Sequence, residues 1–312
     1  MSILLDIIVP VFGLVGFGYA AVRLGLFDQG YVRALSTFAF TFAIPALLFR
    51  SMAQMELAGS VAWPFLLSYY IAAVTMFAVG TGVSLWLFRR TLAESGIGGL
   101  CSSYSNAVLL GIPLLLTAFG ERASLPAFLM VAFHSALMFP LVTVVVELGR
   151  GAGERLREIP VATARGLARN PILWGLGLGL LWNATGWPLP QTLESLLKTL
   201  GQAAVPVALF AMGASLVGYR MGRLPLEPLS LSALKLLAMP ALVFLLGNYV
   251  FALDPLWLEV AVIMAALPAG VNVYVLGQQY DANGEGAAAT VLLSTTLSLV
   301  TVSTLLFMFE VR

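Results

Sequence analysis

Ten apolar runs, each long enough to cross a lipid bilayer, constrain this chain more than any other feature. About 20 consecutive apolar residues span the hydrocarbon core as an α-helix, which satisfies its own backbone polar groups there. The chain has 312 residues, 60% of them apolar and 10% charged, whereas a soluble domain carries about 25% charged residues. We therefore predict an all-α integral membrane protein with ten transmembrane helices. The runs cover residues 3–22, 33–53, 62–88, 96–118, 124–148, 166–186, 191–218, 229–252, 256–279 and 286–309.

A single long polar connection, residues 149–165, divides these runs into two sets of five. The stretch "IPALLF" (Ile44–Phe49) in the second run matches "VPVALF" (Val205–Phe210) in the seventh, with their prolines 161 residues apart. At the same spacing, "AFGE" at the end of the fourth run falls on "QYDA" at the end of the ninth. Because five is odd, the second copy of such a repeat is inverted in the membrane, as in many secondary transporters. We expect an N-terminal repeat over 1–149, a connecting loop over 150–165 and a C-terminal repeat over 166–312.

Arginines predict the orientation of the chain in the membrane. Eleven lie in or beside alternate connections, against three on the opposite side. We expect the protein in the plasma or inner membrane of the cell. Because cytoplasmic connections carry the excess of basic residues, both termini should lie outside, and the connection between the fifth and sixth helices should lie in the cytoplasm. The eleven are Arg23, Arg33, Arg89, Arg90, Arg150, Arg155, Arg157, Arg165, Arg169, Arg220 and Arg223, and the three are Arg50, Arg122 and Arg312.

The fourth and ninth runs contain residues that interrupt a helix. The fourth carries "SNAVLLGIPLLL" (Ser105–Leu116) and the ninth carries "LPAGVNVY" (Leu267–Tyr274). Proline and glycine break a helix there, and irregular backbone at that depth persists only where it is buried in protein or lines a wet cavity. We therefore predict that helices 4 and 9 are broken and cross at mid-membrane.

Broken helices of this kind favour an anion. Each half-helix that begins at a break exposes N–H groups at a partially positive end, and an asparagine amide donates to a carboxylate without a buried charge of its own. The sequence predicts a binding site for a small organic anion between the two breaks. The candidate substrate-binding residues are Ser105, Asn106, Gly111, Ile112, Pro113, Pro268, Gly270, Asn272 and Tyr274.

Three further residues are candidates for proton or charge coupling. His134, the chain's one histidine, could relay a proton or serve as a hydrogen-bonded structural residue. Lys235 in the eighth run could pair with Glu259 in the ninth and replace a coupling sodium ion, or its ammonium could snorkel to the inner surface. Both interpretations stay open for each residue.

Five stretches resemble the auxin efflux carrier family, which includes the plant PIN auxin exporters and bacterial permeases linked to malate or malonate. "SNAVLLGIPLLLTAFG" resembles the family's helix 4 signature, and "LPAGVNVYVLGQQYD" is similar to its helix 9 signature. "FAIPALLF", "RGLARNP" and "PVALFAMGASL" resemble its helices 2, 6 and 7. The resemblance covers nearly the whole chain.

The resemblance implies ten helices in two inverted repeats, with helices 1, 2, 6 and 7 as a scaffold and helices 3–5 and 8–10 as a transport domain that moves like an elevator. It implies that Asn106 meets the substrate carboxylate and that the protein forms a homodimer through the scaffold. The stretch after Pro268, "AGVNVY", departs from the plant version, so an auxin-like acid is one candidate beside malate and malonate.

A secondary carrier of organic anions is thus the leading function, with a proton as one candidate coupling ion. A sodium/proton antiporter is an alternative, although neither interrupted stretch contains the carboxylates that it needs. A ligand-binding membrane sensor is another, although the connecting loop is short for an output domain. Cys101 is the single cysteine, which argues against a cysteine-based metal cluster, and without a nucleotide-binding motif ATP is not expected to drive transport directly. The aspartates lie at the ends of the runs or in connections, which argues against an intramembrane protease, so we expect no enzymatic activity, no cofactor and no metal. Lipids are expected partners, and a net charge of +1 argues against nucleic acid.

Overall fold

The computed structural model describes residues 2–55, 62–151, 158–219 and 226–309, and every regular element within these ranges is helical. Five of the arginines used for the orientation, Arg155, Arg157, Arg220, Arg223 and Arg312, lie outside the described residues. The α-helices, in chain order α1 to α16, are Ser2–Arg23, Gln29–Phe38, Ile44–Gln54, Trp63–Gly82, Leu92–Ser103, Ile112–Phe119, Ser124–Gly149, Ile159–Ala168, Pro171–Ala184, Gln191–Gln202, Ala204–Leu216, Leu226–Ala233, Met239–Leu245, Pro255–Ala266, Val271–Gln279 and Gly284–Met308.

Seven helical segments of the described chain are long and apolar enough to cross a membrane. They differ in number from the ten apolar runs for a physical reason: the fourth and ninth runs are each cut in two by non-helical residues, and the helix of the sixth run, α9, has only 14 residues. Helix α8 lies mostly before that run, within the predicted connecting loop. Large apolar side chains such as Phe17, Trp86 and Phe307 face outward, as lipid contact requires. The chain is an all-helical membrane protein.

Wide π-helical turns precede three prolines and keep their helices continuous. The turns are Ala39–Ala43 before Pro45, Ala107–Gly111 before Pro113, and Leu234–Ala238 before Pro240. A proline lacks an N–H and its ring pushes against the carbonyl one turn earlier, and a single wider turn relieves this clash. The third of these turns carries Lys235.

The helices pack into two groups. In the first, α3 packs along α9 and α10, and α1 packs along α11. Glycines allow the close approach of α9 to α3: a Cβ at Gly175 would lie 2.6 Å from the Pro45 carbonyl oxygen, and one at Gly179 would lie 2.7 Å from that of Phe49. In the second group, α5 packs between α4 and α7, while α16 packs against α12 and α15. The two interrupted runs both belong to this second group.

Candidate functional site

The interruption of the fourth run lies at Tyr104–Asn106. Helix α5 ends at Ser103, Tyr104 is extended (φ −90°, ψ 114°), and helical structure resumes at Ala107. The break therefore precedes Gly111 and Pro113, which lie in the helical turns that follow it. The capping box of Thr91 and Glu94 starts α5, which has twelve residues and ends at the break.

The interruption of the ninth run, Leu267–Gly270, pairs directly with the first. Helix α14 ends at Ala266 and α15 begins at Val271. Ser105 and Ala269 form an antiparallel β-bridge, in which Asn106 N donates to the Pro268 carbonyl at 2.9 Å and Gly270 N donates to the Tyr104 carbonyl at 3.0 Å. Each break thus satisfies backbone groups that the other leaves without a helical partner.

The side chain of Ser105 fastens the two breaks together. Its hydroxyl donates to the Met264 carbonyl of α14 at 2.7 Å. Since that bond uses its one proton, Tyr69 of α4 must donate to Ser105 Oγ across the 2.9 Å between the two oxygens. The backbone amide of Ala269 is held separately, by the hydroxyl of Ser294 at 3.0 Å.

His134 of α7 supports the first break through its ring. The N–H of Ser105 donates to His134 Nε2 at 2.9 Å, so this imidazole is neutral and carries its proton on Nδ1. The ring is buried and stacks on Tyr104 with centroids 4.3 Å apart. Among the described residues, Nδ1 has no hydrogen-bond partner. One edge of the ring is thus used for structure, and the other edge keeps an unused donor.

A cavity of about 200 Å³ lies beside the paired breaks, and we call it the central cavity. The starts of both later half-helices line it, one at Asn106–Val108 and the other at Gly270–Asn272. The first amides of a helix lack intrahelical acceptors and carry partial positive charge, so both positive ends meet one space. The full lining is Ser36, Phe40, Tyr104, Ser105, Asn106, Ala107, Val108, Leu109, Val131, His134, Ser135, Ser215, Gly270, Val271 and Asn272, without an ionised side chain among these described residues.

Two asparagine amides contribute to the polar surface of the central cavity, together with hydroxyl side chains. Asn106 Nδ2 donates only to the thioether of Met212, at 3.3 Å, and sulfur is a weak acceptor. Asn272 Nδ2 donates to the hydroxyl of Tyr104 at 3.3 Å, and that hydroxyl lies 2.8 Å from Ser135 Oγ. The amide of Asn106 is therefore available to a stronger acceptor such as a carboxylate oxygen.

A larger cavity of about 630 Å³, here called the vestibule, adjoins the central cavity. The two share Tyr104, Ser135 and Asn272 in their linings, so these residues lie between the two spaces. The vestibule runs between α7, α8 and α15, and both Glu147 and Glu158 line it near the connection between α7 and α8. It leads away from the breaks toward that connection.

The structure brings together some of the predicted substrate-binding residues. Ser105, Asn106, Gly270 and Asn272 line the central cavity, and the predicted coupling residue His134 joins them. The other five lie elsewhere. Pro268 contributes its carbonyl to the bridge, and Ile112 and Pro113 are buried in packing. Gly111 faces the end of α14 and the residue after it, since a Cβ there would lie 2.9 Å from Met264 Sδ and 2.7 Å from Leu267 Cδ1. Tyr274 packs edge-on against Tyr219.

Lys235 neither reaches a membrane surface nor pairs with Glu259. Its side chain is fully buried, with 0% exposure, so its ammonium does not reach a membrane surface. Nζ donates to the carbonyl of Ala265, in the last turn of α14. The ion pairs of the described residues do not join it to Glu259, which is half-buried near the other end of α14.

Sequence reasoning missed three polar residues that hold the site. Tyr69, Tyr104 and Ser135 form the hydrogen bonds that connect α4, the first break and α7. Tyr104 and Ser135 each directly neighbour a predicted residue, and this adjacency was the available signal. Tyr69 lies in an apolar run with no local mark of its role. No metal-binding group of three or more His, Cys, Asp or Glu side chains occurs in the described part of the chain.

Paired broken helices around a polar cavity inside an all-helical membrane protein define the class of membrane transport proteins. The family described as "Membrane transport protein" matches residues 3–306, and the chain belongs to this family, the auxin efflux carrier family.

Three relatives illustrate the range of this similarity. The chain is 32% identical to the "Putative malonate transporter" of Rhizobium meliloti over 99% of this chain and 97% of that one. It is 27% identical to an "Uncharacterized transporter" of Methanothermobacter thermautotrophicus over 95% of each chain. It is 22% identical to "Auxin efflux carrier component 8" of Arabidopsis thaliana over 97% of this chain and 96% of that one.

Proposed function

We propose that this protein is a secondary active transporter of small organic anions, and that the anion binds in the central cavity. The observation that carries the proposal is the convergence of two half-helix N-termini and the Asn106 amide on one space without ionised side chains. Anionic oxygens bind well at helix N-termini, and a dedicated basic residue is not needed. The name of the Rhizobium meliloti relative supports a carboxylate as the anion.

The size of the central cavity favours a short acid over an aromatic one. Pockets for drug-sized ligands run to about 300–1,000 Å³, and the central cavity holds about 200 Å³. Malonate and malate suit this space better than an indole-containing auxin. A dicarboxylate also matches two donor sets, with one carboxylate at Asn106 and the other toward Asn272 and the positive end of α15.

The same proposal includes ten spans in two inverted repeats and an elevator-type movement. The packing of α1 with α11 and of α3 with α9 supports a scaffold made from the first, second, sixth and seventh spans. The paired breaks belong to the other group of helices, which would carry the anion across. Contacts between the groups include the bond from Asn106 to Met212 of α11, and that bond must break when the transport domain moves.

The vestibule supports a conformation that is open to one side. It leads to the connection between α7 and α8, which the arginine distribution assigns to the cytoplasm, so we infer an inward-open state with both termini outside. Glu147 and Glu158 line this path.

The composition of the central cavity argues against a sodium/proton antiporter. Its lining in the described chain contains neither aspartate nor glutamate, whereas exchange of Na⁺ for protons needs a carboxylate that binds both. A membrane sensor with this fold would bind the same anions, so transport itself has to be measured.

A thermal-shift screen with the purified protein tests the proposal. A ligand that binds only the native state adds about 2.7 kcal/mol to the free energy of unfolding when its concentration is a hundred times its dissociation constant. The melting temperature rises as a result. We expect malonate or malate to stabilise the wild type and to lose that effect in Asn106→Ala. Asn248→Ala, at an exposed position away from the cavity, is the matched control and should keep the full shift. Equal shifts in melting temperature for both variants would mean that the anion does not bind at Asn106.

Uptake into proteoliposomes then separates a carrier from a sensor. Radiolabelled malonate should accumulate with the wild type and with Asn248→Ala, and uptake should fall at least about tenfold with Asn106→Ala, since about 1.4 kcal/mol of lost binding gives that factor. Stabilisation by malonate without any uptake or exchange would favour the sensor.

A further inference from the structure

The carbonyl end of α14 lies at the second break and is held by groups of this chain. An α-helix leaves its last four carbonyls without intrahelical donors, and these carry partial negative charge. In α14, which ends at Ala266, Ser105 Oγ donates to the Met264 carbonyl and Lys235 Nζ donates to the Ala265 carbonyl. Just beyond, the Pro268 carbonyl accepts from the N–H of Asn106.

Lys235 is the charged member of this set, and its environment is unusual for a lysine. It is completely buried within the eighth run, where an isolated ammonium is costly and is normally paired. The ion pairs found in the described chain all involve Arg50 or Arg90. The favourable partner of the Lys235 ammonium is therefore the negative end of the half-helix α14.

The π-helical turn Leu234–Ala238 helps to bring Lys235 to this end. The turn precedes Pro240, and Lys235 and Ala265 are joined across 30 residues of sequence. Carbonyl ends of broken helices hold the coupling Na⁺ in many secondary transporters. Here a side-chain cation has the same charge and the same carbonyl contact as such an ion.

We propose that the ammonium of Lys235 takes the place of a coupling metal cation, so that anion transport by this protein needs neither Na⁺ nor K⁺. This inference rests on the proposed transport of anions. Lys235 acts as a positioning residue: it keeps the end of α14 and the second break in place, while the anion binds at the positive ends of the other half-helices. Removal of the ammonium leaves uncompensated carbonyls, which a small monovalent cation can then occupy.

Lys235→Ala and the wild type, each reconstituted into proteoliposomes, test the inference. Uptake of radiolabelled malonate is measured at constant pH and ionic strength in NaCl, in KCl and in N-methyl-D-glucamine chloride. The chain has one other lysine, Lys198, which is exposed on α10, so Lys198→Ala is the matched control. We expect wild type and control to be equally active in all three salts, and Lys235→Ala to be active only with Na⁺ or K⁺.

A second readout needs no substrate. Purified Lys235→Ala should melt at a higher temperature in NaCl or KCl than in N-methyl-D-glucamine chloride, by about 2–4 °C at a tenfold excess of cation over its dissociation constant. The wild type should show no such difference. Absence of malonate uptake by the wild type would count against the proposed function, whereas this thermal readout still reports on Lys235 alone.

Three results would overturn the inference. The first is Na⁺- or K⁺-dependent transport by the wild type. The second is a folded Lys235→Ala protein that responds to neither cation in either readout. The third is a variant that loses the pH dependence of uptake without gaining a cation requirement, which would make Lys235 a proton carrier instead. Where Lys235→Ala does not fold, Lys235→Ser replaces it, with the same expected responses.

Discussion

The hydroxyl of Ser105 should contribute more to stability than any ordinary buried serine, because it joins three elements. Ser105→Ala removes the donor of the Met264 carbonyl and the acceptor of the Tyr69 hydroxyl. Both remaining groups are buried, and a buried polar group without a partner costs about 1–3 kcal/mol. We therefore expect a loss of about 2–4 kcal/mol in the free energy of unfolding, somewhat less than the sum because the site can relax.

Thermal unfolding in detergent without ligand measures this effect. With an unfolding entropy of about 2.1 cal/mol/K per residue, the melting temperature of a chain of 312 residues shifts by about 1.5 °C per kcal/mol. Ser105→Ala should therefore melt about 3–6 °C below the wild type. Tyr69→Phe removes only one hydrogen bond and should cost about 1 kcal/mol. The double variant should be less destabilised than the sum of both, by about 0.5–1.5 kcal/mol, because the two residues share one bond.

The control is Ser230→Ala, whose exposed hydroxyl bonds only to the Leu226 carbonyl one turn earlier. It should change stability by less than about 0.5 kcal/mol. If Ser105→Ala were as stable as this control, or if its effect and that of Tyr69→Phe were strictly additive, the hydroxyl would not fasten the two breaks.

Four further substitutions, one of them a control, test other contacts. Gly111→Ala should destabilise the protein by about 1 kcal/mol, since its Cβ would lie 2.7 Å from Leu267 Cδ1 and 2.9 Å from Met264 Sδ, both of which can shift. Gly177→Ala, with nothing within 4 Å, should be neutral or stabilising in the same melting assay. Glu227 accepts two bonds from the guanidinium of Arg90, at 2.8 and 2.9 Å, and these bonds raise the pKa of Arg90. Because Arg90 is 39% exposed, solvent weakens this ion pair, and Glu227→Gln should lower the free energy of unfolding by about 1–2 kcal/mol. No change in melting temperature would contradict that reasoning. His134→Gln keeps an acceptor for the N–H of Ser105 at the first break and should leave the pH dependence of malonate uptake unchanged. Loss of that pH dependence with malonate binding intact would identify the imidazole as a proton carrier.

The positions of the helices followed from sequence wherever a single apolar run decided them. The run 286–309 corresponds to α16, and α14 ends at Ala266, two residues before Pro268, as expected for a helix that stops at a proline. The first break was predicted less well. Asn106, Gly111 and Pro113 were expected to form it. Asn106 does lie at the break, but Gly111 and Pro113 lie in helical turns, because the π-helical turn Ala107–Gly111 accommodates the proline. Such turns depend on packing around them and leave no periodicity in the sequence.

The site was predictable where local chemistry carried the signal. Asn106 and Asn272 are amides in apolar runs and lie at the central cavity. The contacts of Lys235 with Ala265 and of Tyr69 with Ser105 join residues 30 and 36 positions apart, and no local pattern specifies which partners meet across such distances. Pairing of the two breaks through Ser105 and Ala269 likewise appears only once the helices are packed.

The measurement that tests the central claim most directly is a cryo-electron microscopy map of the protein with saturating malonate, compared with a map of Asn106→Ala under the same conditions. The proposed function predicts density for the acid in the central cavity, with a carboxylate oxygen within hydrogen-bond distance of Asn106 Nδ2 and no such density in the variant. Density for malonate only in the vestibule, or unchanged density in the variant, would contradict it.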